Sequence, residues 1–386
     1  MNENPTLPAV PESASGKRFT LVDALRGIAA LSVLLHHLFV NSELQKTLWL
    51  AFPHWFIEFC LDGAFGVQIF FVLSGFVIAH SLRNVRATPR AVGNFILRRQ
   101  LRLDPPYWTI LALTIGAMFL EAHIPWIEQR QLPTWTDVVT NFLYLQKVTG
   151  TFPIMAVSWT LCLEVQFYLV FIVLLLAGKL LSRSDAKAAT LSASLVAGLA
   201  IVSLLMRGHT FDAWFIRSWY YFAAGVLCYW AVNNPRFRSA FIGFLIFYFA
   251  AAVWQEPKSM LTGWSTALLL YTAGRMGKLS GWLDFAPLQY LGRISYSLYL
   301  SHLLIAVYVL RAGYRLTHTN QLAGVLWFVV AGAVSIGAAH VMYLLIERPS
   351  IRFGARFKLA EDKRPAAPPA VVGTAGFGEI EELQNA

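Results

Sequence analysis

A chain of 386 residues that is 57% hydrophobic and only 13% charged, with a mean hydropathy of +0.54, falls outside the soluble globular class, where about a quarter of residues carry charge. The formal net charge of +10 does not imply nucleic acid as a partner, because Lys and Arg gather in alternate loops as the positive-inside rule predicts. Cys60, Cys162 and Cys228 are odd in number and far apart, which excludes a disulfide framework and a zinc pattern, and no metal is expected.

The composition predicts an all-α polytopic membrane protein, a bundle of about ten transmembrane helices. Residues 1–18 are polar, lack the basic start and apolar run of a secretory signal, and read as a cytoplasmic N-terminal tail. Spans are predicted at roughly 20–42, 64–82, 104–121, 157–180, 188–206, 211–232, 238–254, 259–275, 288–311 and 322–346. The stretch 135–146 is apolar but short, and reads as a re-entrant or interfacial helix. Of the 31 Lys and Arg, 21 fall in the termini and loops of one side and 7 in loops of the other, with Arg26, Arg217 and Arg293 inside spans. That split puts both termini in the cytoplasm. The transmembrane region is expected to run over 19–350. The remainder, 351–386, begins basic, turns Pro- and Ala-rich and ends acidic, and so reads as a membrane-surface segment followed by disorder. No internal repeat is evident.

In the first span, His37 lies eleven positions after Arg26. Eleven steps of about 100° make roughly three turns plus 20°, so the two share a face about 16 Å apart along the axis. Asp23, Ala30 and Val33 lie on the same stripe, and Asp23 and Arg26 are spaced to pair. His36 is turned roughly 80° away, which singles out His37. Ionisable groups at this depth face a cavity or a partner. A neutral imidazole there can act as general base on a hydroxyl; the alternative is a histidine hydrogen-bonded between helices.

Further along, Phe70–Phe76 places Ser74 and Gly75 where helices approach closely. Arg98-Arg99-Gln-Leu-Arg102 precedes a span that Pro105 is expected to open. Arg99 and Arg102, three apart, suit phosphate, since guanidinium donates paired hydrogen bonds; topology and contact with anionic lipid are the alternative. In Ser158-Trp-Thr-Leu-Cys-Leu-Glu164, Thr160, Glu164 and Tyr168 share a face. The predicted topology puts Glu164 in the outer half of its span, level with His37, where a carboxylate can orient an imidazole; the alternative is an interhelical hydrogen bond. Ser295, Tyr299 and His302 form another stripe that reads as a cavity wall or as helix–helix hydrogen bonding. His340, Tyr343 and Glu347 form a last one, with Glu347 reading as an anchor for a basic residue rather than a catalyst. No Walker loop, dinucleotide fingerprint or G-x-S-x-G elbow occurs.

Taken in order, D-A-L-R-G-I-A at 23–29 followed by His37, F-F-V-L-S-G-F at 70–76, Arg99-x-x-Arg102 before Pro106-Tyr107, S-W-T-L-x-x-E at 158–164 and S-Y-S-L-Y-L-x-H ending at His302 resemble the integral-membrane acyltransferase family 3. The resemblance covers residues 19 to about 350 and is to the stand-alone form, without the esterase-like domain that some relatives carry. Asp104-Pro105-Pro106 departs from it, since relatives more often have a hydrophobic residue before one proline.

The resemblance implies transfer of an acyl group, most often acetyl, from cytoplasmic acyl-CoA to a hydroxyl of a cell-envelope or exported glycan, lipid-linked or free, or in some members to a small molecule such as a macrolide. The expected setting is the cell inner membrane, with the lipid bilayer as the surrounding partner; a relay would need a separate extracytoplasmic partner. His37 is carried over as catalytic and Arg99 and Arg102 as donor-handling. On this basis Glu164 is expected to assist His37, Arg26 to guide the donor, and Asp23, Ser158, Tyr168, Tyr299 and His302 to line the cavity. The donor's pantetheine arm is expected to follow the small-residue groove at Ala30 and Val33. An acyl-histidine intermediate remains an open alternative. The alternative from another class is a transporter of glycan or solute, which intramembrane Arg, Glu and His residues also suit.

Overall fold

The computed structural model describes residues 18–40, 44–83, 88–124, 131–182, 184–206, 212–255, 258–318 and 320–357. The tail expected over 1–18, except for Arg18, and the C-terminal tail beyond Phe357 lie outside these residues. All regular structure among the described residues is helical.

The first helix, α1 (Thr20–Val40), is followed by two short ones, α2 (Gln45–Ala51) and α3 (His54–Asp62), and by α4 (Gly66–Leu82). Next come the long α5 (Pro89–Ala122), the short α6 (Trp135–Phe142) and α7 (Gln146–Thr149), then α8 (Trp159–Leu180) and α9 (Asp185–Leu205). The chain continues through α10 (Trp219–Asn233), α11 (Arg238–Gln255), α12 (Lys258–Arg275), α13 (Ala286–Thr317) and α14 (Gln321–Met342). A π-helical turn over Tyr343–Glu347 leads into α15 (Arg348–Gly354). Helix α1 packs between α13 and α4. Helix α10 backs α4 from the far side, with α9, α11 and α12 around it, while α14 flanks α13, and α5 packs on α13 and α15.

Among the described residues, each of the ten predicted spans is helical over most of its length. Among the described residues, eight helical runs are long and apolar enough to cross a membrane, and α10 and α12 are not among them. Helix α10 has 15 residues and is buried almost all round by aromatic and small side chains, so it is a core helix of the bundle. Helix α12 begins at Lys258 and ends at Arg275. Its Thr262, Thr266 and Thr272 hydroxyls each donate to a carbonyl one turn back, which satisfies polar groups that lipid cannot.

Two helix pairs meet backbone to backbone. A Cβ on Gly292 of α13 would overlap the Asp23 carbonyl of α1, and one on Gly27 would lie 2.8 Å from the Leu288 carbonyl oxygen. A Cβ on Gly75 of α4 would overlap the Phe222 carbonyl of α10, and one on Gly225 the Val72 carbonyl. Small residues permit such approach where lipid gives helices little hydrophobic reason to associate.

One departure from expectation, and the short non-spanning helix expected over 135–146, shape the α5 side of the site. The span expected from 104 begins at Pro89, where Thr88 caps the helix by accepting from the Ala91 amide at 3.3 Å, so Pro105 and Pro106 fall mid-helix. Neither proline has an N–H, which removes the helical donors for the Leu101 and Arg102 carbonyls. The segment 131–158 folds back toward α5. A reciprocal cap between Thr134 and Asp137 starts α6, and Asp137 Oδ1 also accepts from the Phe152 amide at 2.9 Å. Those hydrogen bonds hold the Asp137 carboxyl below its ordinary pKa. Asn141 donates to the Phe152 carbonyl at 2.8 Å, closing the loop. Its tip reaches α5 near the proline pair: Tyr107 donates to the Asn141 carbonyl, Tyr144 to Asp104 Oδ1, both at 2.8 Å, and the two tyrosine rings stack 4.6 Å apart.

Candidate active site

A cavity of about 90 Å³ opens where α1, α4, α5, α8 and α13 converge. Its polar wall is Arg26, Ser74, Arg99, Arg102, Thr160, Glu164, Tyr296 and Tyr299, and Val67, Phe70 and Leu161 are among the apolar residues that complete it. Helical spacing puts Arg99 and Arg102 on one face of α5. Arg99 is fixed by its aromatic neighbours, its guanidinium lying 5.2 Å from the centre of the Tyr168 ring and 5.7 Å from that of Phe95. Arg26 donates to Ser295 Oγ at 3.3 Å, across the α1–α13 crossing. Glu164 accepts from Ser74 at 3.1 Å, and the charges that act on it are Arg99, Arg102 and Arg26. Three guanidinium groups thus face one carboxylate in a half-buried chamber, which leaves excess positive charge for an anion.

His37 stands three turns along α1 from Arg26 and is not part of this wall. Its ring lies 5.1 Å from that of His302 and 5.0 Å from that of His36, and His36 Nδ1 is 2.9 Å from the Leu61 carbonyl. The link from cavity to histidine runs through aromatic rings: Phe70 and Tyr299 at 5.7 Å, then Tyr299 and His302 at 6.0 Å.

Several expected residues have other places. Glu164 shares the cavity wall with Arg26, and His37 is not part of that wall. Asp23 pairs with Arg18 at 2.5 Å, leaving Arg26 to Ser295. Ser158 stands outside the cavity wall, accepting from Gln146 at 3.0 Å and donating to the Met155 carbonyl at 2.7 Å, so it anchors α7 to the start of α8. Tyr168 lies behind the wall, under Arg99, with its hydroxyl 3.2 Å from Ser74 Oγ. Of the five residues expected to line the cavity, Tyr299 does so, its hydroxyl 2.8 Å from Thr160 Oγ1, and His302 lies beyond it. The groove at Ala30 and Val33 is filled: both are at most 2% exposed, and Gly66 lies against Val33. Glu347 accepts from the hydroxyl and amide of Ser297 at 2.6 and 3.3 Å, an anchor between α13 and the π-helical turn.

The wall also includes residues given no role from sequence. Tyr296 donates to the Leu103 carbonyl at 2.7 Å, joining α13 to α5 beside Arg102. Ser74 reads from sequence as a helix-contact residue, and its bond to Glu164 depends on where α8 begins. Among the described residues no group of three or more His, Cys, Asp or Glu is placed to hold a metal ion, and Cys60, Cys162 and Cys228 are buried and free.

The family profile described as an acyltransferase domain, that of acyltransferase family 3, matches residues 20–344. The chain is 27% identical over 382 residues to the membrane-bound transacylase BcsY of Komagataeibacter xylinus, covering 90% of this chain and 86% of that protein. It is 25% identical over 320 residues to the exopolysaccharide production protein ExoZ of Rhizobium meliloti, covering 76% and 90%. It is 23% identical over 367 residues to the peptidoglycan O-acetyltransferase YrhL of Bacillus subtilis, covering 85% of this chain but 54% of that longer protein. No solved structure matches. Apolar helices enough for many crossings, the ordered motifs around one arginine-lined cavity and a profile match over most of the length lead to one conclusion: this multi-pass membrane protein belongs to the acyltransferase 3 family and is an acyltransferase.

Proposed function

We propose that this enzyme moves an acyl group, acetyl by preference, from acyl-CoA to a hydroxyl of a cell-envelope or exported glycan, with His37 as general base. The observation that carries the reading is the convergence of Arg26, Arg99 and Arg102 on one cavity, at the end of α1 opposite His37. Arginine pairs bind phosphate through parallel hydrogen bonds, and coenzyme A is a phosphate-rich thioester carrier. The first half of α5, which carries Arg99 and Arg102, belongs to the basic side of the chain, which supports a cytoplasmic donor and cytoplasmic termini, in a cell inner membrane. With the Ala30–Val33 stripe filled, the thioester arm runs instead along Phe70, Thr160 and Tyr299 toward the histidines.

In the chemical step His37 takes the proton of the acceptor hydroxyl as its oxygen attacks the thioester carbonyl. The C–O bond forms, the C–S bond breaks, and the thiolate recovers a proton from the imidazolium as it leaves. Glu164 balances the charge of the arginines and offsets their mutual repulsion while the donor is absent. The names of the exopolysaccharide and peptidoglycan relatives favour a glycan over a small-molecule acceptor.

The test is transfer from radiolabelled acetyl-CoA in membranes that contain wild type or His37→Ala, with total envelope glycan and lipid as acceptors. Label entering a glycan fraction with wild type alone is the expected result. Full transfer by a folded His37→Ala protein would sink the role of His37. Label confined to small molecules would move the acceptor to that class.

A further inference from the structure

His302 is completely buried on α13 and lies beyond the cavity wall, and the chemistry above gives it no part. Its two ring nitrogens have different surroundings. Nδ1 lies 3.0 Å from the Leu298 carbonyl oxygen. A carbonyl oxygen only accepts, so in this contact Nδ1 carries the hydrogen. In the neutral ring Nε2 then offers only a lone pair, and this atom is buried with no hydrogen-bond partner. An orphaned acceptor at such depth is costly unless it serves something, and metal-binding and catalytic histidines are oriented by what their second nitrogen bonds.

The rings around His302 narrow the choice. Tyr299 lies 6.0 Å away, but its hydroxyl is engaged with Thr160 Oγ1 and the Val157 carbonyl, at 2.8 and 3.3 Å. The other ring is His37, 5.1 Å between centroids and tilted by 37°. The backbones that carry the two histidines are locked together one crossing away by Gly27 and Gly292, so this spacing is built in.

We infer that His302 is a positioning residue for His37: its Nε2 accepts the His37 ring N–H and so fixes the tautomer that turns the other His37 nitrogen, lone pair outward, to the acceptor hydroxyl. This inference rests on the reading of His37 as base. In the step above, the proton taken from the hydroxyl makes His37 an imidazolium with two N–H groups, one of them already donating to His302, which stays neutral throughout. This is the orienting part that a carboxylate plays in a hydrolytic triad, filled here by a second imidazole, while Glu164 stays with the arginines.

The experiment compares wild type, His37→Ala, His302→Leu, His302→Gln and His302→Asn as single species in detergent, by rate at saturating acetyl-CoA and by KM for acetyl-CoA, with total envelope glycan as acceptor. Gln sets its amide oxygen near the level of Nε2 and keeps an acceptor for His37, whereas Asn reaches only the level of Nδ1. The expected result is a kcat loss of about 100-fold in Leu and Asn, with donor KM unchanged and Gln within about tenfold of wild type. Where Leu does not fold, the Gln and Asn pair decides. Equal rates for Gln and Asn, wild-type rates for Leu, or a loss confined to KM would overturn the inference and leave His37→Ala to report on the base by itself. An active His37→Ala protein would overturn the base and the inference together.

Discussion

At the α1–α13 crossing Gly27 and Gly292 bring two backbones into contact, and at the α4–α10 crossing Gly75 and Gly225 do the same. The surroundings differ. The first crossing is polar: Arg26 reaches Ser295, Gln289 donates to the Thr20 carbonyl at 2.9 Å, and about three turns further the histidine rings meet. Around the second the neighbours are aromatic, with Phe222 stacked on Phe167 at 5.1 Å and Phe76 edge-on to Tyr229 at 5.3 Å. Both set a buried glycine against a facing carbonyl, so close approach is a property of the bundle, and the histidine pair lies along the first crossing.

Valine at either joint is expected to have the largest effect. Gly292→Val and Gly75→Val each drive a branched side chain into a facing carbonyl, and both should abolish recovery of monodisperse protein, by size exclusion in detergent. Alanine separates the joints. Gly292→Ala and Gly75→Ala should each cost about 1–3 kcal/mol, seen as a lower melting temperature. Turnover per folded molecule should fall at least tenfold for Gly292→Ala and stay near wild type for Gly75→Ala; equal turnover would erase the distinction. Next in size, Arg99→Lys and Arg102→Lys keep the charge but lose the planar fork, so donor KM should rise about tenfold with kcat less affected, by initial rates across acetyl-CoA concentration. The smallest effect is Ser295→Ala, which removes one hydrogen bond to Arg26 worth about 1 kcal/mol and should raise donor KM roughly fivefold. An unchanged KM there would mean that Arg26 does not need the α13 side of its crossing.

The stripe on α1 is legible from sequence because it depends only on helical period, and Arg26, Arg99, Arg102, Glu164 and Tyr299 do meet at one cavity. Depth is what the period does not encode. Glu164 reads as level with His37, whereas the structure sets it in the cavity wall with Arg26. A signal for the infolding exists in Thr134-x-x-Asp137, a reciprocal cap spaced for a helix beginning where the chain has just left a span. Thr88-Pro89 is likewise a helix start, hidden because 90–102 is too polar to read as span. The role of His302 depends on which carbonyl its Nδ1 meets, which a sequence does not state.

The proline pair in α5 has a mechanical consequence. Bending a helix ordinarily breaks backbone hydrogen bonds, but at Pro105 and Pro106 two of those hydrogen bonds do not exist, so flexure there is cheap. The joint divides α5 into two arms of equal length. Above it, Tyr107 is tied to the Asn141 carbonyl. Below it, Arg99 and Arg102 ride on a lever of more than four turns that is held to the bundle by α15. On the proposed reading of the cavity, small swings of that lever change the spacing between the guanidinium groups and Arg26, so the grip on a large anionic carrier can loosen for product departure.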